Sequence, residues 1–127
     1  MPTPIINLQP QLLDLALYAG DGVEFRLVCT DSKGAPVDIT GSVKAQIRLD
    51  RLDAAAPIVE FTTGMVDAYK GIIVLSLTGT QTRTLIQHPS SKNGRFIGVW
   101  DIQWTPSSAQ PRTLVQGKLE CVADVTR

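Results

Sequence analysis

From Val43 to Asp50 the chain alternates without a break. Val43, Ala45, Ile47 and Leu49 fall on one side, and Lys44, Gln46, Arg48 and Asp50 on the other. A helix would scatter those apolar residues around its circumference, whereas a strand lines them up against a core. The same period of two recurs along the chain. In Val23–Thr30, Val23, Phe25, Leu27 and Cys29 share a face opposite Glu24, Arg26 and Thr30. In the stretch from Phe96 to Thr105, Phe96, Trp100, Ile102 and Trp104 lie opposite Asp101 and Gln103. After it, Val115, Leu119, Cys121, Ala123 and Val125 oppose Gln116, Lys118, Glu120 and Asp124. The pattern predicts further strands at Leu12–Tyr18, in "PIVEFTT" opening at Pro57, and at Gly71–Leu77. The last is apolar almost throughout and is expected to be covered on both sides.

Turn chemistry separates these runs. "DSKG" (Asp31–Gly34) offers side-chain acceptors and a glycine. "APVDITG" crosses to the next strand, with Asp38 placed to cap backbone N–H groups. "RLDAAAP" is a connection with room for one helical turn, "VDAYKG" and "PSSAQP" are turns, and "HPSSKNG" is a loop. One helix is predicted, in "TGTQTRTLIQ", where Thr78 followed by Gln81 makes a capping box and Leu85 and Ile86 dock on the core. The last two strands form the clearest hairpin. About seven strands and one short helix predict an all-β fold, an antiparallel β-sandwich of Ig-like general architecture. An immunoglobulin domain places a Trp on its third strand between paired cysteines, and here both Trp lie late, so only the architecture carries over. A closed barrel of the same strands is the structural alternative.

At 127 residues the chain reads as one domain, able to bury about two thirds of its unfolded surface. Residues 1–12, with Pro2, Pro4 and Pro10, are expected to form an extended arm, with a frayed terminus as the alternative, and residues 13–127 the sandwich. No signal peptide and no membrane-spanning apolar run is apparent. A formal net charge of +0 gives no reason to expect nucleic acid or an anionic membrane as a partner and sets no barrier to self-association.

Candidate chemistry is sparse. His88 is the only histidine, placed before Pro89 in a loop. Cys29 and Cys121 match no zinc or redox spacing and fall on apolar strand faces, which predicts free structural thiols over a disulfide or a nucleophile. Asp50 and Asp53 lack the spacing of a calcium loop. No phosphate-binding glycine motif or nucleophile elbow occurs. The chain therefore predicts no catalytic, metal or cofactor-binding residue and no enzyme. From Ala68 to Trp100 it carries Lys70, Arg83, Lys92 and Arg95 but no acidic residue. That asymmetry is read as chance spacing on a surface, because RNA binding needs exposed aromatics beside the cations.

The order of these pieces resembles a known family. The D-x-x-G turn, "VDITG" running into "AQIR", "LSLTGTQT", "WDIQ" and the closing "LVQGKLECVADVTR" resemble, in that order, small β-sandwich proteins of tailed bacteriophages. The resemblance covers roughly Gly20 to Arg127. It implies a virion structural protein of the tail tip, collar, tail-fibre attachment or baseplate, assembled in the host cytoplasm. It implies partners among other virion structural proteins, and a homo-oligomer in a symmetric ring. The alternatives are a head-decoration or neck protein, or a carbohydrate-binding module for host attachment with aromatic contacts drawn from Tyr18, Tyr69, Trp100 and Trp104. The "HPSSKNGR" loop and the proline-rich leader depart from the family pattern.

Overall fold

A computed structural model describes residues 11–31, 33–50, 56–106 and 110–123. The described residues are predominantly β, with one α-helix and two sheets. The strands are β1 (Gln11–Leu12), β2 (Leu15–Tyr18), β3 (Val23–Val28), β4 (Gly41–Arg48), β5 (Val59–Glu60), β6 (Thr62–Asp67), β7 (Ile72–Leu77), β8 (Arg95–Pro106) and β9 (Arg112–Val122). The helix α1 spans Gly79–Ile86. One sheet runs β1-β9-β8-β4-β5, with β2 also on β9, and the other runs β3-β7-β6. β1 and β2 are one run interrupted at Leu13–Asp14, and β5 and β6 are one run interrupted at Phe61, so the nine segments correspond to seven runs.

The predicted face assignments hold where a core demands them. Ala45 and Ile47 on β4, Phe96, Trp100 and Ile102 on β8, and Val115, Leu119 and Cys121 on β9 are buried. The facing sheet contributes Ile73, Leu75 and Leu77, and both layers close into one cluster. At its centre Trp100 meets Phe25 edge-on (centroids 6.2 Å apart, 86°) and Phe61 at a tilt (5.7 Å, 53°). Phe25 comes from one sheet, Trp100 from the other, and Phe61 from the chain crossing between them. Such pairs add about 0.5–1.5 kcal/mol each beyond their burial.

β7 corrects one expectation. Its inward residues are buried, but Ile72, Val74 and Ser76 are only half-buried, and no second layer of described residues covers them. As the middle strand of three, β7 has its outer side chains shielded by neighbours on β3 and β6 rather than by another layer. The run predicted from Pro57 begins at Val59 and changes sheet at Phe61, whose N–H donates to the Ala45 carbonyl (2.8 Å) while the Thr63 hydroxyl donates to that of Val43 (3.0 Å). The two sheets are thus joined along that side, which gives the sandwich part of a barrel's closure. "VDAYKG" is strand up to Asp67 and then a single 3-10 turn over Ala68–Lys70. Gln11 and Leu12, assigned to the arm from sequence, pair with Val115 and Gln116. The rest of the arm (1–10), most of "RLDAAAP" with Asp53, the middle of "PSSAQP", Ser32 and the end from 124 lie outside the described residues.

The helix forms where its cap predicts. The Gln81 N–H donates to the Thr78 hydroxyl (3.2 Å), and the Thr78 N–H donates to Gln81 Oε1 (2.8 Å). α1 closes one end of the sandwich with Leu85 and Thr82, both fully buried. The segment 36–40 closes the other: the Ile39 N–H donates to the Ala68 carbonyl (2.9 Å).

Candidate functional site: edges and outer faces

The residues with chemical potential are kept apart. His88 Nδ1 accepts from the Ser90 N–H (3.1 Å) and lies 2.7 Å from its hydroxyl, while the ring stands edge-on to Phe96 (5.9 Å). The Cys121 thiol donates to the Thr82 carbonyl (3.4 Å), and burial pushes its pKa up to about 11. Cys29 is also free, half-buried, and raised by burial. A thiol held protonated is a poor nucleophile. Among the described residues no three His, Cys, Asp or Glu side chains gather as a metal-binding group. Asp38 does the local work its position predicts, accepting from the Thr40 hydroxyl and N–H (2.5 and 2.9 Å), and these bonds lower its pKa. Asp31 likewise accepts from the Lys33 and Ala35 N–H groups (2.8 and 3.0 Å).

The cations from Lys70 to Arg95 do not form one patch. Lys70 lies in the β6–β7 turn, while Arg83, Lys92 and Arg95 lie at the opposite end beside α1. Arg95 is neutralised by Glu120 (3.0 Å). The aromatic candidates are equally dispersed. Trp100 is buried and donates its indole N–H to the Leu13 carbonyl (2.8 Å). Trp104 is half-buried and donates to that of Thr40 (3.2 Å). Tyr18 and Tyr69 are exposed, but at opposite ends of the sandwich.

The outer face of the larger sheet is polar at its middle, with Ile97 and Leu12 exposed toward its margins. Gln116, Asp101, Gln46 and Glu60 stand opposite one another across β9, β8, β4 and β5. Gln46 donates to Glu60 (3.4 Å) and accepts from the Arg48 guanidinium (3.1 Å). A shallow hollow of about 260 Å³ lies among Gln46, Arg48, Asp101, Gln103 and Gln116. A second, of about 310 Å³, lies at Leu12, Asp14, Gly117 and Lys118.

The two remaining sheet edges differ in build. At β1–β2 the chain runs parallel to β9 and dips inward at Leu13–Asp14. A Cβ on Gly117 would lie 1.9 Å from the Leu13 carbonyl oxygen, so glycine alone permits that approach. Trp100 takes up the displaced carbonyl, and the Asp14 carboxylate accepts the Lys118 N–H (2.9 Å) in place of backbone. β3, by contrast, runs six residues without bulge or proline, and no described strand pairs with its outer side. Sequence reading missed Gly117, Asp14 and Thr82. A Gly inside an otherwise regular strand pattern was the available signal for the first.

No family model matches the chain, and no curated protein matches it.

Proposed function

We propose that the protein is a structural subunit of a tailed-phage particle, at the tail tip, collar or baseplate. It acts by protein–protein assembly into a symmetric homo-oligomer with other virion proteins. On this reading the sandwich is Ig-like in general architecture and has no disulfide. One observation supports it most: a residue of each motif in the resemblance has a structural task, and the hollow that AQIR, WDIQ and Gln116 border is open and gathers no catalytic group among the described residues. Asp31 holds the D-x-x-G turn, Asp38 the V-D-I-T-G crossing, Thr78 and Gln81 the helix start, Trp100 the first strand, and Gly117 the close approach of that strand. Surface left over is edge and face, which is what assembly uses.

Antibody labelling of intact particles, with negative-stain imaging of the purified protein, tests this. Label at the tail and ring-shaped oligomers are expected. A protein that stays monomeric and labels no particle contradicts it. The polar hollow on the larger sheet supports a second reading, a carbohydrate-binding attachment module. Tryptophan quenching by acrylamide separates the two: the assembly reading expects shielded indoles, and strong quenching favours the module.

A further inference from the structure

We propose that β3 is a self-complementary docking edge, through which two copies of the chain join across a two-fold axis into one continuous sheet. The inference does not rest on the virion reading. It starts from the direction of the backbone groups. The Cys29 N–H donates to the Gly71 carbonyl (2.8 Å), just beyond the last paired residues, Val28 and Ile72. In an antiparallel pair the groups alternate sides, so Val23, Phe25 and Leu27 point theirs at β7. Glu24, Arg26 and Val28 therefore present an N–H and a C=O each to the outside. Such a row is a template for another strand unless something blunts it.

Among the described residues the other edges are blunted. β5 is only two residues long, and its Glu60 carbonyl accepts from the Gln81 side chain (3.2 Å). β6 carries a register shift between Met65 and Asp67, and its chain is already bound along β4. The β1–β2 edge is broken at Leu13–Asp14, and the Tyr18 carbonyl is occupied by the Asp21 N–H (3.1 Å). Among the described strands, β3 alone is regular and open.

Charge then selects both partner and register. Glu24 and Arg26 are exposed and make no ion pair with the described residues. Pair β3 with a second β3 about an axis through Phe25. Each Glu24 then faces Arg26 of the other copy, and these are the very residues whose backbone groups point outward. Both hydrogen bonds and charges are satisfied twice. Shifting the axis by one residue sets Glu24 against Glu24, or Arg26 against Arg26, which is unfavourable at cross-strand distance. The partner of matching chemistry is thus a second copy. A two-fold contact combined with a head-to-tail ring gives a closed dihedral assembly, so both contacts can coexist.

Sedimentation velocity on the full chain across a concentration series tests this with three variants. Wild type is expected to form a dimer in equilibrium with monomer. Glu24→Arg and Arg26→Glu each place like charges opposite at two points and should weaken the dimer roughly tenfold. The double variant E24R/R26E recreates the pairs in reverse and should recover to within about threefold of wild type. These side chains are exposed, so folding is retained, checked by circular dichroism. A wild type that stays monomeric at every concentration overturns the proposal. So does a double variant as weak as the singles, or a dimer indifferent to all three changes.

Discussion

The β1–β2 edge and the β3 edge are both outermost strands, yet only one remains available to another chain. The difference does not come from apolar content. Leu12 and Tyr18 are as exposed on the first as Val28 is on the second. It comes from where the backbone groups go. At β1–β2, an indole from β8, a carboxylate and a glycine interrupt the regular row and fasten it to β8 and β9. At β3 the row is intact. An edge is thus closed by a few inward-directed polar contacts, and left open by their absence.

The largest predicted effect comes from removing the fastening. Trp100→Ala deletes the central ring and leaves the Leu13 carbonyl unpaired, and should cost about 3–5 kcal/mol by urea unfolding. Gly117→Val is expected to unseat β1 while leaving β3 unchanged, a loss of about 1–3 kcal/mol from forced displacement. Increased protease cleavage near Leu13 would accompany it. The corner joining the two edges comes next. The Thr82 hydroxyl accepts from the Gly20 N–H (3.0 Å) and lies 3.0 Å from the carbonyls of Asp21 and Gly79. Thr82→Val keeps the shape and strands these groups, for about 1–3 kcal/mol. Thr78→Ala, which loosens the helix bearing Thr82, should cost about 1 kcal/mol.

The smallest effect is a rate. Cys29 ends the β3 side half-buried, and Cys121 lies buried on the pinned side. Iodoacetamide at mildly alkaline pH should label Cys29 first and leave Cys121 intact in the folded protein. Because the folded Cys121 pKa, about 11, lies above the ordinary thiol value of 9.0, the unfolded chain ionises first. Stability therefore declines as pH rises through that interval, and a Cys121→Ala variant should lack that part of the decline.

Much of this fold was legible in the sequence, because a period of two and a capping box are local signals. The inward faces of β4, β8 and β9 follow from alternation alone, and α1 from Thr78 and Gln81. What was not legible is contact across distance. Nothing local says that Leu13 meets Trp100, or that Thr82 holds Gly20, since those bonds join residues 87 and 62 positions apart. Nor does composition show that the apolar run of β7 is half-open, because side-by-side shielding within a sheet and burial under a second layer leave the same sequence. The alternation of β3 is local, whereas its openness required its register with β7.

Residue-resolved amide exchange on the full chain at low and high protein concentration tests the contrast between the edges most directly. Leu17 and Ala19 should be protected at every concentration. The amides of Glu24, Arg26 and Val28 should exchange freely when dilute and slow as concentration rises. Equal protection of those three amides in dilute solution, or exchange that ignores concentration, would contradict it.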